Sequence, residues 1–130
     1  MKEVYEFLKN SGTYFLATLD NNKPKVRPFG TIDLFEDKLY IQTGKVKEVS
    51  KQMKNNPNIE ICAMYNNSWI RINALAILDD NIKAQEHMLE NYPSLKAMYK
   101  AGDGNTEVYY LKDAVATIYS FTSEPKVIKF

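Results

Sequence analysis

Apolar and polar positions along the chain change period several times, and each change marks an element. Val4, Phe7 and Leu8 recur at helical spacing and Gly12 follows as a stop, so residues 2–11 predict a short amphipathic helix. TYFLATL (13–19) is a β run, the DNNK segment at 20–23 supplies turn residues, and 25–35 continues as the return strand. Pro28 and Gly30 are poor central-strand residues, which predicts a bulge or an unpaired edge there. A further strand is expected over 38–43, reached through Glu36-Asp37. Val46, Val49 and Met53 then mark one face of a helix over 45–55, ended by Asn56-Pro57. Residues 58–65 and 69–78 read as strands of a hairpin turning through Asn66-Asn67-Ser68. Asp79 or Asp80 is the expected cap of a helix over 81–91, and a second short helix is expected over 94–100. A glycine-bearing loop at 101–106 precedes a final pair of strands, EVYYLK and VATIYSF, and the tail EPKVIKF.

Strand neighbours joined by tight turns make a largely antiparallel sheet. Six or seven strands in 130 residues are best satisfied by closing on themselves as a small barrel with short flanking helices, a mainly β fold with some α structure over one domain, 1–130. Apolar residues at 45% and charged residues at 25% are ordinary for globular chains and argue against disorder. A net charge of +1 provides no global field to attract nucleic acid. The single cysteine excludes an intramolecular disulfide and a cysteine-only zinc site. No apolar run approaches a membrane span, and MKEVYEFLKNSG lacks the apolar stretch of a signal peptide, so a cytoplasmic address is expected.

Lysine occurs 15 times but arginine only at Arg27 and Arg71, which draws attention to both. The strongest local signal is QTGKVKEVSK (42–51): a strand ending at Gln42-Thr43, an unusual backbone turn at Gly44, and a helix with Lys45 and Lys47 in its first turn. Cations there oppose the helix dipole unless an anion binds, so the segment is either a phosphate site or a solvated lysine face. In VRPFG (26–30), Arg27 either faces a flat heterocycle beside an irregular strand or is simply an edge-strand arginine. Trp69 and Arg71 share one strand face and either line a pocket or fill a barrel core with Arg71 at its rim. His87 reads as a solvated surface residue and Cys62 as a small core hydrophobe. No Ser or Cys has a positioned histidine, so triad chemistry has no support.

The order of these motifs, TYFLATLDNNKPKVRPFG, LYIQTGKVKEVSKQMKNNPNIEICAMY, WIRINALA and IYSF, resembles the pyridoxamine phosphate oxidase-like family of FMN-binding split barrels, in particular its small nitroimidazole-reductase-type branch. The resemblance implies FMN as cofactor. Lys45 and Lys47 would meet its phosphate, Gln42, Thr43 and Gly44 would shape the turn, and Arg27, Pro28 and Phe29 would lie along the ring. It implies a homodimer with each flavin at the subunit interface, where Trp69 would face the ring. It further implies an oxidoreductase passing electrons from NAD(P)H to a small acceptor, nitroaromatics included. A carrier or sensor without turnover, and a haem or deazaflavin in place of FMN, are the alternatives that related split barrels offer. No arginine follows Arg71, whereas the vitamin-processing oxidases close with an arginine-bearing substrate segment, so the likeness does not extend to pyridoxamine phosphate as substrate. The serine often found before the phosphate-binding lysine is also absent.

Overall fold

Alternating apolar runs fold as strands and the period-four stretches as helices in the computed structural model, which describes all 130 residues. Helix α1 (Lys2–Ser11) turns Val4 and Leu8 into the core and ends at Gly12, whose φ of 74° lets its N–H reach the Lys9 carbonyl. Strands β1 (Tyr14–Asp20) and β2 (Lys23–Phe29) pair antiparallel. The expected strand over 25–35 is two strands: β2 stops at Phe29, and β3 (Asp33–Phe35) begins after a connector. Pro28 causes no bulge. It pairs in register with Phe15, and because β2 is a sheet edge its missing N–H disturbs no second ladder.

Strand β4 (Lys38–Gly44) follows a two-residue turn in which Glu36 and Asp37 both take positive φ. Helix α2 (Glu48–Asn55) starts three residues later than its apolar spacing predicts. Strands β5 (Asn58–Tyr65) and β6 (Ser68–Asp79) form the expected hairpin, turning on Asn66 and Asn67 alone, at φ 53° and 62°. Helix α3 (Ile82–Asn91) is capped by Asn81, whose side chain accepts from the Lys83 N–H. Asp79 instead accepts from the Asn81 N–H, two residues before the cap. The second short helix is a 3-10 turn over Pro93–Ala97.

The expected final strand pair is one continuous strand, β7 (Thr106–Ser120). Its register against β6 slips by one residue between Asn73 and Leu75, and Asp113 absorbs the extra residue at φ 51°. The tail forms β8 (Lys126–Lys129) on β7. Eight antiparallel strands result, in the order β2-β1-β5-β6-β7-β4-β3 with β8 beside β7, and the sheet curls without closing.

The gap between the ends of this path is bridged by side chains. Thr31 Oγ1 accepts from the Gln42 N–H (3.1 Å), the Tyr14 hydroxyl donates to the Thr31 carbonyl (2.6 Å), and the Tyr92 hydroxyl meets both backbone groups of Ile32. The backbone is thereby satisfied without a ladder, and an opening is left beside residues 28–31. The core inside the curl joins α1 and α2 to Leu16, Ile41, Ile61, Ile72 and Tyr109. A smaller cluster of Tyr40, Val108, Ala84 and Met88 seats α3 on the other face of β4 and β7, so β4 is covered on both sides.

Candidate functional site

At the opening of the curl three chain segments meet around a cleft of about 230 Å3. The end of β2 and the connector supply Arg27, Pro28, Phe29, Gly30 and Thr31; the end of β4 supplies Gln42 and Thr43; the start of α2 supplies Lys47 and Val49. A hood of Leu95, Met98 and Tyr99, from the 3-10 turn and the residues just after it, completes the lining. Six of the nine residues singled out in the sequence therefore converge: Arg27, Pro28, Phe29, Gln42, Thr43 and Lys47. A larger hollow of about 450 Å3 crosses the outer face of β1, β5 and β6, but Glu60 and Asp113 are its charged lining residues. It offers no cation to an anionic ligand, so the smaller cleft is the chemically pointed one.

Arg27 projects from β2 toward the inner side of the sheet, opposite Leu16. Its Nη1 donates to the Leu16 carbonyl (3.1 Å) and to Thr18 Oγ1 (2.7 Å), and its Nη2 to Gln52 Oε1 (2.7 Å). Every one of these acceptors is neutral. Partial burial lowers the guanidinium's pKa from its ordinary value, with no carboxylate to offset it, yet arginine stays charged at any physiological pH.

Lys47 is the N-cap of α2 in an extended conformation, with no side chain capping the helix. The first-turn amides of Glu48 and Val49 lie before any intrahelical acceptor, and no other acceptor in the chain takes them. Lys47 has no acidic partner, unlike Lys51, paired with Glu48, and Lys54, paired with Glu107 at 2.6 Å. Two unneutralised cations and free helix-end amides beside an apolar wall suit a flat ligand with a dianionic tail.

The remaining three residues have other places. Lys45 points to solvent in the turn before α2, and its N–H is spent on the Asn105 carbonyl (2.7 Å). Gly44 ends β4 without a left-handed backbone, so the turn does not depend on its conformational freedom. Its role is spatial: a Cβ there would stand 2.9 Å from the Tyr99 hydroxyl and 3.2 Å from the ring. Trp69 lies on the outer face of β6, stacked on Tyr119 (5.3 Å, 13° between planes) with Phe121 beside it, apart from the cleft and outside the core. Arg71, on the same face, pairs with Glu60 at 2.9 Å, which raises its pKa.

Two other side chains differ from their sequence readings. Cys62 is exposed on the outer face of β5 rather than buried. His87 is half-exposed and meets the buried Asp33 carboxylate through Nδ1 at 2.6 Å, with Asn91 on the other carboxylate oxygen, fastening α3 to β3. Under α2, Ser50 and Tyr109 hydrogen-bond the buried carboxylate of Glu107. Burial pushes the Tyr109 phenol up to about 12.

The family profile described as pyridoxamine 5'-phosphate oxidase matches residues 1–120. The chain belongs to that family. Its similarity to a NimC/NimA family protein from Clostridium acetobutylicum reaches 40% identity over 100% of this chain and 92% of that one, with a TM-score of 0.96. A pyridoxamine 5'-phosphate oxidase-related, FMN-binding protein from Nostoc punctiforme shares the fold at 16% identity and a TM-score of 0.63, over 97% of this chain and 90% of that one. A heme binding protein from Mycobacterium smegmatis does so at 12% identity and a TM-score of 0.77, over 98% of this chain and 56% of that one. No curated protein matches the chain. Within this oxidase-family split barrel, the hood residues Leu95, Met98 and Tyr99 carried no local sequence signal; they reach the cleft by tertiary packing. The arginine anchor Gln52 stands behind Arg27 rather than in the lining, and its one signal is a glutamine at a core-facing position of α2.

Proposed function

We propose that this family member binds FMN in the cleft and uses it to pass electrons from NAD(P)H to a small acceptor, nitroaromatics among them. The observation that carries the reading is the pair of unneutralised cations, Arg27 and Lys47, in one cleft with the uncapped start of α2. The Lys47 ammonium and the Glu48 and Val49 amides would hold the phosphate. Phe29 and the hood would exclude water from the ring, and Arg27 would stabilise negative charge accumulating on it. Bound FMN would supply the two-electron chemistry, which no side chain of the cleft can perform alone.

A cleft of about 230 Å3 falls below the roughly 300–1,000 Å3 of sites that enclose a drug-sized ligand. That supports a homodimer whose second subunit completes the enclosure, with the Trp69 face as its contribution. Haem fits this chain less well: His87, the sole histidine, does not line the cleft and commits Nδ1 to Asp33.

The deciding experiment is the absorption spectrum of the purified protein, followed by FMN reconstitution and anaerobic addition of NADH or NADPH. A flavin spectrum bleached by a nicotinamide and restored by a nitroaromatic is the expected result. Flavin bound but not reduced by either nicotinamide would make the protein a carrier or sensor. A colourless protein that takes up no FMN defeats the proposal.

A further inference from the structure

Gln52 is buried on the core-facing side of α2, where an amide is costly unless its oxygen is hydrogen-bonded. Its Oε1 accepts twice, from Arg27 Nη2 at 2.7 Å and from the Thr18 hydroxyl at 2.6 Å. Thr18 Oγ1, itself buried, in turn accepts from Arg27 Nη1 at 2.7 Å. The three side chains close a cycle in which each proton has a defined direction: guanidinium to both oxygens, hydroxyl to amide. The fork's two terminal nitrogens are held by two different elements, strand β1 through Thr18 and helix α2 through Gln52.

The chemistry of the acceptors is informative. The other arginine, Arg71, is met by a glutamate, as are Lys51 and Lys54. Arg27, the more buried of the two arginines, is met by an amide, a hydroxyl and a carbonyl. A glutamate at position 52 has the same shape and would bind the fork more strongly through charge. An amide holds the guanidinium in place and leaves its charge available to whatever enters the cleft.

Resting on the proposed flavin reading, we infer that Gln52, with Thr18, is a positioning residue that aims Arg27 at the flavin without neutralising it, and so sets both affinity for FMN and its reduction potential. Gln52→Glu separates charge from structure. The variant is expected to melt no lower than the wild type, because the fork gains an ion pair, yet to bind reduced flavin about tenfold more weakly relative to oxidised flavin. That ratio corresponds to a two-electron potential lower by about 30 mV. FMN affinity is read by fluorescence titration and potential by dye equilibration. A purely structural role for Gln52 predicts unchanged affinity and potential, and that outcome in a flavin-loaded variant overturns the inference while leaving the proposed function standing.

Fixation is read without flavin. With only two arginines, the Nη resonances of Arg27 are assigned by comparison with Arg71→Lys. They are expected to be resolved in the wild type and averaged by rotation in Gln52→Leu. Averaged Nη signals in the wild type overturn the positioning half whatever the flavin does. A wild-type chain that takes up no FMN overturns the proposed function and, with it, the electrostatic half.

Discussion

Three lysines close in sequence separate by what each one touches. Lys47 lines the cleft without an acidic partner, Lys45 points to solvent, and Lys54 is bonded to buried Glu107. Charge-assisted contacts contribute about 1.5–3 kcal/mol each, so Lys47→Met is expected to weaken FMN binding at least tenfold with little change in melting temperature. Lys45→Met should leave the affinity near wild type. Lys54→Met strands a buried carboxylate and should lower stability by about 1–3 kcal/mol with a smaller effect on the flavin. Equal titration curves for all three variants would remove Lys47 from the site. Tyr109, beneath the same helix, provides a pH test. Its phenol ionises near 10 in an unfolded chain but at about 12 when folded, because burial opposes the phenolate. A folded value above the unfolded one gives stability that is complete below pH 10 and lost as pH climbs toward 12. The melting temperature should therefore fall across that window, and less steeply in Tyr109→Phe; some slope persists because buried Tyr14 is shifted the same way. Identical slopes in the two proteins would contradict this assignment. The Arg-Pro-Phe and Gly-Lys-Val-Lys segments were legible in the sequence because their chemistry is local. Gln52 and Asp33 were not, since the groups that give them meaning lie 25 and 54 positions away.

Among the elements, the last residue of β4 and the 3-10 hood are fitted to each other. Gly44 has ordinary backbone geometry but no room for a Cβ beside Tyr99. Gly44→Ala is expected to cost about 1–3 kcal/mol through overpacking and to displace the hood, weakening FMN binding together with stability. Removing the hydroxyl at 2.9 Å by Tyr99→Phe should recover part of both losses in the double variant, a coupling that a double-mutant cycle in urea reads directly. Strict additivity would mean that the two do not press on each other. Period and turn chemistry made most elements readable: α1 and β5 have the limits that Val4, Phe7, Leu8 and the NIEICAMY run imply. Misreadings gather where one residue changes the local rule. Asp-Ala at 113–114 looks like a break between strands, yet it is a bulge that lets β7 run on for 15 residues. Lys45 and Val46 continue the helical spacing of α2 but form a turn, in which the Lys45 N–H is held by the Asn105 carbonyl and the Lys47 N–H by the Gly44 carbonyl.

At the scale of the whole molecule, the inner surface of the curled sheet is filled and α3 covers the outer side of β4 and β7, while no element of the chain covers the outer side of β1, β2, β5 and β6. Phe15 on β1, Val26 on β2 and Met64 on β5 stand half or more exposed, and Phe121 is 88% exposed beside the Trp69–Tyr119 stack. Exposed apolar side chains gathered on one face, here with the Arg71–Glu60 pair among them, mark contact surfaces. The cleft, meanwhile, is too small in one copy to enclose a tricyclic ring with its phosphate tail. The homodimer proposed above meets both deficits if two copies pack outer face to outer face about a two-fold axis, where an isologous contact covers the same patch twice, and if that packing sets each copy's wall against the other's cleft. Sedimentation should therefore find a dimer at micromolar concentration. Met64→Glu places a charge on that face opposite Trp69, without touching the cleft or the core; it should give a monomer with native far-UV circular dichroism and sharply reduced FMN affinity. Flavin lost together with the dimer, while the fold is kept, is the outcome that a cleft completed by a second copy predicts. A monomeric wild type that binds FMN at full strength, or a monomeric Met64→Glu that does, would show that the single-copy cleft suffices.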